Sequence, residues 1–184
     1  MVHVEQNLTY EIVLALLRVE SHPRAIAKDL GATHTTVLRK LKILSCGNVI
    51  DYREEGKNKV YFIKNTLEAR TYIMIVELYR LARMLHTYPR LRSIIQSIQQ
   101  HPDIRLAVLF GSYAKGTALQ KSDIDVYIKT EDHSLKRDLE RIHSKLSIKT
   151  GEFDRSTILI REIEKDHVIL KGVEEYYEKT RVPA

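Results

Sequence analysis

Residues 109–128 read LFGSYAKGTALQKSDIDVYI, and the fold of the second half of the chain turns on them. An apolar run ends in Gly111-Ser112, ten residues follow, and then Asp123 and Asp125 stand one residue apart at the head of a second apolar run. A lone Gly-Ser or a lone Asp-x-Asp says little. Together at this spacing they describe a place where a phosphate and a metal ion meet. Glycine lets the backbone approach an anion closely, and free N–H groups at a strand-to-helix turn, aided by a hydroxyl, can hold a phosphate. In a strand beginning DIDVYIK, Asp123 and Asp125 project from one face while Ile124 and Val126 face a core. Two acids on one face repel each other unless a cation lies between them. Mg²⁺ suits, because it takes hard oxygen ligands from one or two carboxylates together with substrate phosphates.

Working outward, IRLAVLF (residues 104–110), IDVYIK (124–129) and STILI (156–160) read as β-rich runs separated by helical segments, the rhythm of an α/β or α+β unit. Pro89 and Pro102 bracket a further helix over residues 90–100. The combined motif resembles the signature of the DNA-polymerase-β-like nucleotidyltransferase superfamily and is closest to the minimal nucleotidyltransferases of prokaryotes, including those paired with HEPN partners. The resemblance spans residues 88–184. It implies that Gly111 and Ser112 contact the triphosphate of an NTP, with ATP the expected nucleotide, that Lys115 adds positive charge beside the phosphates, and that Asp123 and Asp125 coordinate Mg²⁺. The implied reaction is attack of an acceptor hydroxyl on the α-phosphate, with release of pyrophosphate. The family also supplies a third carboxylate from a later strand, for which KTGEFDRSTILI (149–160) is the candidate region. Asp154 is the preferred residue, as a further catalytic and metal-binding acid, and Glu152 the alternative. Phe153 supplies the apolar neighbour before Asp154, whereas Arg155 and Ser156 depart from the apolar pattern after it.

The first half reads differently. Ile12, Val13, Leu16 and Leu17 give residues 8–19 a broad apolar helical face, and His22-Pro23 breaks it. PRAIAKDL begins with proline and stops at Gly31, and ATHTTVLRKLKIL follows with Thr33 as N-cap and Val37, Leu41 and Leu44 on one face. After Gly47-Asn48, VIDYR and KVYFI flank EEGKN as a hairpin with a charged tip. Three helices and a hairpin in this order make a winged helix-turn-helix. The pattern resembles prokaryotic winged-helix regulators of the ArsR or MarR kind over residues 8–64. In that arrangement the second helix of the helix-turn-helix enters the DNA major groove. His34, Thr35, Thr36, Arg39 and Lys40 are then the outward, DNA-facing residues, with Lys42 near the helix end. Arg39 is the candidate base reader, and Arg53, Lys57 and Lys59 are phosphate contacts in the wing.

The expected organisation is α+β. A winged helix-turn-helix occupies residues 1–65, a linking and dimerising helix residues 66–87, and a nucleotidyltransferase-like mixed sheet with flanking helices residues 88–184, the boundary falling between residues 84 and 90. Net charge is +6, with 13 basic against 9 acidic residues up to Tyr88 and 17 against 15 after it, so the excess leans toward the N-terminal part. Such a balance favours polyanionic partners, here nucleotide and double-stranded DNA. The single cysteine, Cys46, excludes an internal disulfide and reads as a small, buried or half-buried residue. No histidine pair has helical metal spacing. No run is apolar enough to span a bilayer, and MVHVEQNLTYEIV has no export signal, so a cytoplasmic location is expected. Two functions remain open on these residues. One is an Mg²⁺-dependent nucleotidyltransferase carrying a DNA-binding module. The other is a DNA-binding transcription regulator, or an antitoxin-like protein with a HEPN partner, whose nucleotidyltransferase domain senses a nucleotide with weak turnover.

Overall fold

The structure, a computed structural model, describes residues 7–180. The N-terminal residues 1–6 of the expected first domain, which open the stretch read for an export signal, and residues 181–184 of the expected last domain lie outside the described residues. The chain forms two compact units that part between Tyr79 and Arg80.

The first unit opens with α1 (Leu8–Arg18), capped by Asn7, whose side-chain oxygen accepts from the Thr9 N–H at 3.0 Å. In α2 (Pro23–Asp29), Pro23 takes the first helical position, and the His22 ring nitrogen accepts from the Ala25 N–H at 3.1 Å. Thr33 caps α3 (His34–Cys46) by accepting from the Thr36 N–H at 3.2 Å. Ile12, Val13, Leu16, Ile26, Val37, Leu41 and Leu44 close into one core with Val49, Ile50 and Tyr61. The hairpin pairs β1 (Ile50–Glu55) with β2 (Asn58–Ile63), Glu55 opposite Asn58, so the charged tip narrows to the two residues Gly56 and Lys57. Ser21 adds a bridge to Tyr61, their backbones exchanging bonds of 3.1 and 2.9 Å. This ties the α1–α2 connection to the hairpin. Cys46, expected to be buried or half-buried, is exposed instead, because it closes α3 beyond the last core contact, Leu44.

The long helix α4 (Leu67–Thr87) runs through the division. Ala69, Val76 and Tyr79 belong to the first core, while Leu81 and Met84 belong to a core of the second unit. The division therefore lies inside the helix, earlier than the expected 84–90.

The second unit continues through a 3₁₀ turn (Pro89–Leu91), α5 (Arg92–Gln100), β3 (Ala107–Phe110), α6 (Gly111–Ala114), β4 (Ile124–Ile128), α7 (His133–Glu140), β5 (Leu146–Thr150), α8 (Ile158–Lys165), β6 (Val168–Lys171) and α9 (Val173–Thr180). Its sheet has the order β5-β4-β3-β6. The β4–β5 pair is parallel, and β3 is antiparallel to both β4 and β6. The parallel pair needs a crossover, which α7 supplies. Alternation divides the sheet cleanly. Ala107, Leu109, Ile124, Val126, Ile128, Leu146, Ile148, Val168 and Leu170 meet Ile94, Ile95 and Ile98 of α5 and Leu135 and Leu139 of α7 on one face. On the other face Val108, Tyr127 and Ile169 pack with Phe153, with Ile160 and Ile163 of α8, and with Tyr176 of α9.

The run STILI, expected as a strand, is helical from Ile158. Thr157 accepts from the Ile160 N–H at 3.3 Å as an N-cap, and Ile160 and Ile163 bury one helical face. The strand beside β4 is instead β5, the run LSIKT, which comes earlier in the chain. This difference decides where the candidate third acid goes.

Candidate active site

In the antiparallel register, Asp125 lies opposite Phe110, the last residue of β3, so the carboxylate stands beside the turn into α6. The backbone of Gly111 has φ +70°, and a Cβ placed there would come within 2.8 Å of the Asp125 Oδ2. Glycine is required twice over: for the left-handed conformation, and because the carboxylate occupies the space a side chain needs. The motif's two halves, separate in sequence, meet at this contact. The N–H groups of the first turn of α6 have no partners within the helix, and Phe110 provides no side-chain cap. Asp123 immediately precedes β4. The alternation carried back one step sets it on the face of Asp125, where it is exposed while Asp125 is half-buried.

The loop between α6 and β4 is held by groups that the sequence did not single out. The Arg90 guanidinium donates to the carbonyls of Leu119 and Gln120 at 3.2 and 3.4 Å and lies 5.3 Å from the Tyr113 ring centroid. Lys145 donates its ammonium to the Gln120 carbonyl at 2.7 Å, while its own carbonyl accepts from the Ile124 N–H at 2.8 Å. Ser122 accepts from the Leu119 N–H at 2.9 Å, and the Thr117 N–H returns to the Ser112 carbonyl at 3.0 Å. These bonds set where the chain re-enters the sheet and hence where Asp123 stands. No motif marks Arg90 or Lys145, since carbonyl recognition by a basic side chain leaves no sequence pattern. Lys115 follows α6 as its C-cap. It lies close enough to α8 to help hold the Glu162 carboxyl below its usual range, an effect due chiefly to the Lys165 ammonium bonded to it at 2.9 Å.

The third acid is a correction. Strand β5 runs parallel to β4, with Leu146 opposite Ile124 and Thr150 opposite Ile128, so Glu152 and Asp154 follow the far end of the sheet from Asp123 and Asp125. At about 3.3 Å per residue, the strand alone separates the two ends by about 13 Å. Tyr127 shows the same placement. Its hydroxyl donates to the Gly151 carbonyl at 2.7 Å and titrates well above the usual tyrosine range, first through burial and then through the negative charges of Glu152 and Glu175. Asp154 has another task. It accepts from the N–H and hydroxyl of Ser156 at 2.9 and 2.7 Å, bonds that hold its carboxyl below the usual range, and it leads the chain into the Thr157 cap of α8. Among the described residues, no group of three or more His, Cys, Asp or Glu side chains could hold a metal ion. The residue level with Asp125 on β5 is Ser147, and it shares the face of Asp125 because Leu146 and Ile148 point into the opposite core. Parallel neighbours at this level stand about 4.8 Å apart. Sequence reading missed Ser147; the signal available was its position between two apolar residues in L-S-I.

In the first unit, His34, Thr35, Arg39 and Lys42 are exposed along α3, while Thr36 and Lys40 are half-buried. The Thr36 hydroxyl is engaged with that of Thr33 at 2.8 Å as part of the cap. In the hairpin, Arg53 is paired with Glu20 and, at 2.8 Å, with Glu55, which together raise its pKa. Lys59 lies 3.9 Å from the centroid of the Tyr52 ring. Lys57 sits on the exposed two-residue turn.

No described helix is long and apolar enough to cross a membrane. No curated protein matches the chain. Among solved structures, the solution NMR structure of the homodimeric winged helix-turn-helix DNA-binding domain (fragment 1–100) of Mb0332 from Mycobacterium bovis, a possible ArsR-family transcriptional regulator, is similar at 25% identity. That match covers 44% of this chain and 71% of that one, with a TM-score of 0.36. Residues 92–175, which build the sheet and bring Gly111 against Asp125, match the family model described as Polymerase beta, Nucleotidyltransferase.

Proposed function

We propose that the second unit binds a nucleoside triphosphate with Mg²⁺ for transfer of its NMP to an acceptor hydroxyl, and that the first unit is a winged helix that binds double-stranded DNA. The observation that supports the nucleotide reading most directly is the seating of the Asp125 carboxylate against Gly111. It puts anionic oxygens and the uncapped turn of α6 at one point, where a triphosphate and a cation satisfy both. Asp123 and Asp125 fit Mg²⁺, whose usual donors are one or two carboxylates, phosphate oxygens and water. Mg²⁺ bound there would neutralise the triphosphate and polarise the phosphoryl group. The chain's own contribution is positional. Gly111 and Ser112 present the backbone to the phosphates, and Arg90 and Lys145 hold the loop that places Asp123.

The DNA reading rests on the exposed row His34, Thr35, Arg39 and Lys42 along α3 and on the basic excess of the N-terminal part. A second reading, a regulator that senses the nucleotide with weak turnover, is favoured by Ser147, which stands where β5 comes level with Asp125. Calorimetric titration of ATP tests the nucleotide site. Binding should require Mg²⁺ and be lost in Asp125→Asn, which leaves the strand pairing intact. Metal-independent binding, unchanged in the variant, would remove the site from Asp125.

A further inference from the structure

We infer that the nucleotide site of this chain is a one-metal site, short of a two-metal centre by a single carboxylate whose place on β5 is taken by Ser147. The inference rests on the proposed nucleotide reading and specifies its metal content. A two-metal phosphoryl-transfer centre holds its ions about 3.5–4 Å apart and clamps both the attacking and the leaving oxygen. Two ions so close need carboxylates reaching both, from strands that meet on one face.

On the Asp125 face the neighbours are fixed. Across β3 stands Phe110, in the antiparallel register, and across β5 stands Ser147, in the parallel register. Phe110 has no ligand atom, and the neutral hydroxyl of Ser147 contributes no charge against a second cation. The helix packed over this face offers no free replacement. Its two carboxylates are each paired, Glu162 with Lys165 at 2.9 Å and Glu164 with Arg155 at 2.6 Å. On α9, Glu175 pairs with Lys129 at 3.1 Å, at the other end of β4. Asp154 is bonded to Ser156 beyond the far end of β5.

The chemical consequence is specific. In transfer, the acceptor oxygen forms its bond to the α-phosphorus, the bond from that phosphorus to the oxygen bridging to the β-phosphate breaks, pyrophosphate leaves with the electron pair, and the acceptor proton must pass to a base. A second cation would lower the acceptor's pKa, and a carboxylate at the Ser147 position would both hold that cation and take the proton. With serine there, the site holds the nucleotide with one cation, and an acceptor hydroxyl gives up its proton to water or to a base of its own, so that transfer is slow.

The test is a metal count. Full-length protein is titrated with Mn²⁺ in the presence of saturating α,β-methylene-ATP, which cannot be cleaved between the α- and β-phosphates, and bound Mn²⁺ is read by electron paramagnetic resonance. Wild type should bind one Mn²⁺ per nucleotide, Ser147→Asp two, and Ser147→Asn one. Asp154→Asn should leave the wild-type count unchanged. Two ions in wild type would overturn the inference without any variant, and so would a single ion in a folded Ser147→Asp protein. Absence of analogue binding to folded wild type would instead overturn the nucleotide reading itself, and the metal count with it.

Discussion

At the scale of single residues, the constraint that bears on the candidate site is the approach of Gly111 to Asp125. Gly111→Ala combines two effects that can be separated. The left-handed backbone at φ +70° costs a non-glycine residue about 1–2 kcal/mol. The added Cβ also meets the Asp125 Oδ2 at 2.8 Å, and because that atom ends a short side chain, the carboxylate yields rather than the strand. Gly116 provides the control. It has nearly the same φ, +73°, and a Cβ added there meets nothing within 4 Å. Both alanine variants should therefore lose similar thermal stability, but only Gly111→Ala should lose tenfold or more in Mg²⁺-dependent ATP affinity by calorimetry. Equal affinity losses would mean that strain, rather than displacement of Asp125, governs the site. Gly111, Asp123 and Asp125 are legible in the sequence because their types and spacing state a chemistry. Ser147 is not, because its meaning comes only from the strand it stands beside.

At the scale of elements, legibility depends on length and caps. The helices α1, α2 and α3 can be read from breaks and caps that the structure uses as read: proline at the start of α2, Gly31 after it, and Thr33 bonded to the first turn of α3. The error over STILI is of another kind. A short β-branched run suits a strand or a buried helical turn equally. The Thr157 cap decides between them, together with burial of Ile160 and Ile163 three residues apart, a helical spacing that only the partner face reveals. For the elements proposed to face DNA, pairing separates candidates of equal charge. Arg39 is exposed on α3, whereas Arg53 already serves two carboxylates in and beside the hairpin. Arg39→Ala should weaken binding to a preferred duplex by about 1–3 kcal/mol if it reads a base. Arg53→Ala should change affinity less, since the guanidinium is already engaged by Glu20 and Glu55 and reaches a phosphate only by giving up part of that pairing. Fluorescence anisotropy at fixed salt measures both, and a larger loss for Arg53→Ala would reverse the assignment of reader and support.

At the scale of the whole molecule, the two halves are visible in the sequence as a change in residue habit, but the point of division is not. The long helix α4 is apolar on more than one face, and its pattern does not change where its contacts pass from one core to another, between Tyr79 and Leu81. Two cores and two proposed ligands predict two separate footprints. Saturating Mg²⁺-ATP should slow amide exchange in residues 107–128, where β3, the Gly-Ser turn and β4 gather the groups proposed to hold phosphate and metal. A ligand present at about 100 times its Kd adds about 2.7 kcal/mol to the state that binds it, enough to slow globally limited amides about a hundredfold. A duplex should instead protect residues 34–46 and the hairpin over 50–63. The footprints should also differ in salt response. Affinity for a duplex falls steeply between about 50 and 200 mM salt because phosphate contacts release condensed counterions, while the proposed nucleotide site, which would rely on a divalent cation and backbone N–H groups, should respond far less. Hydrogen exchange at the two salt concentrations reads both. Protection by DNA confined to 107–128 would move the polyanion site into the second unit and leave the α3 row without its proposed partner.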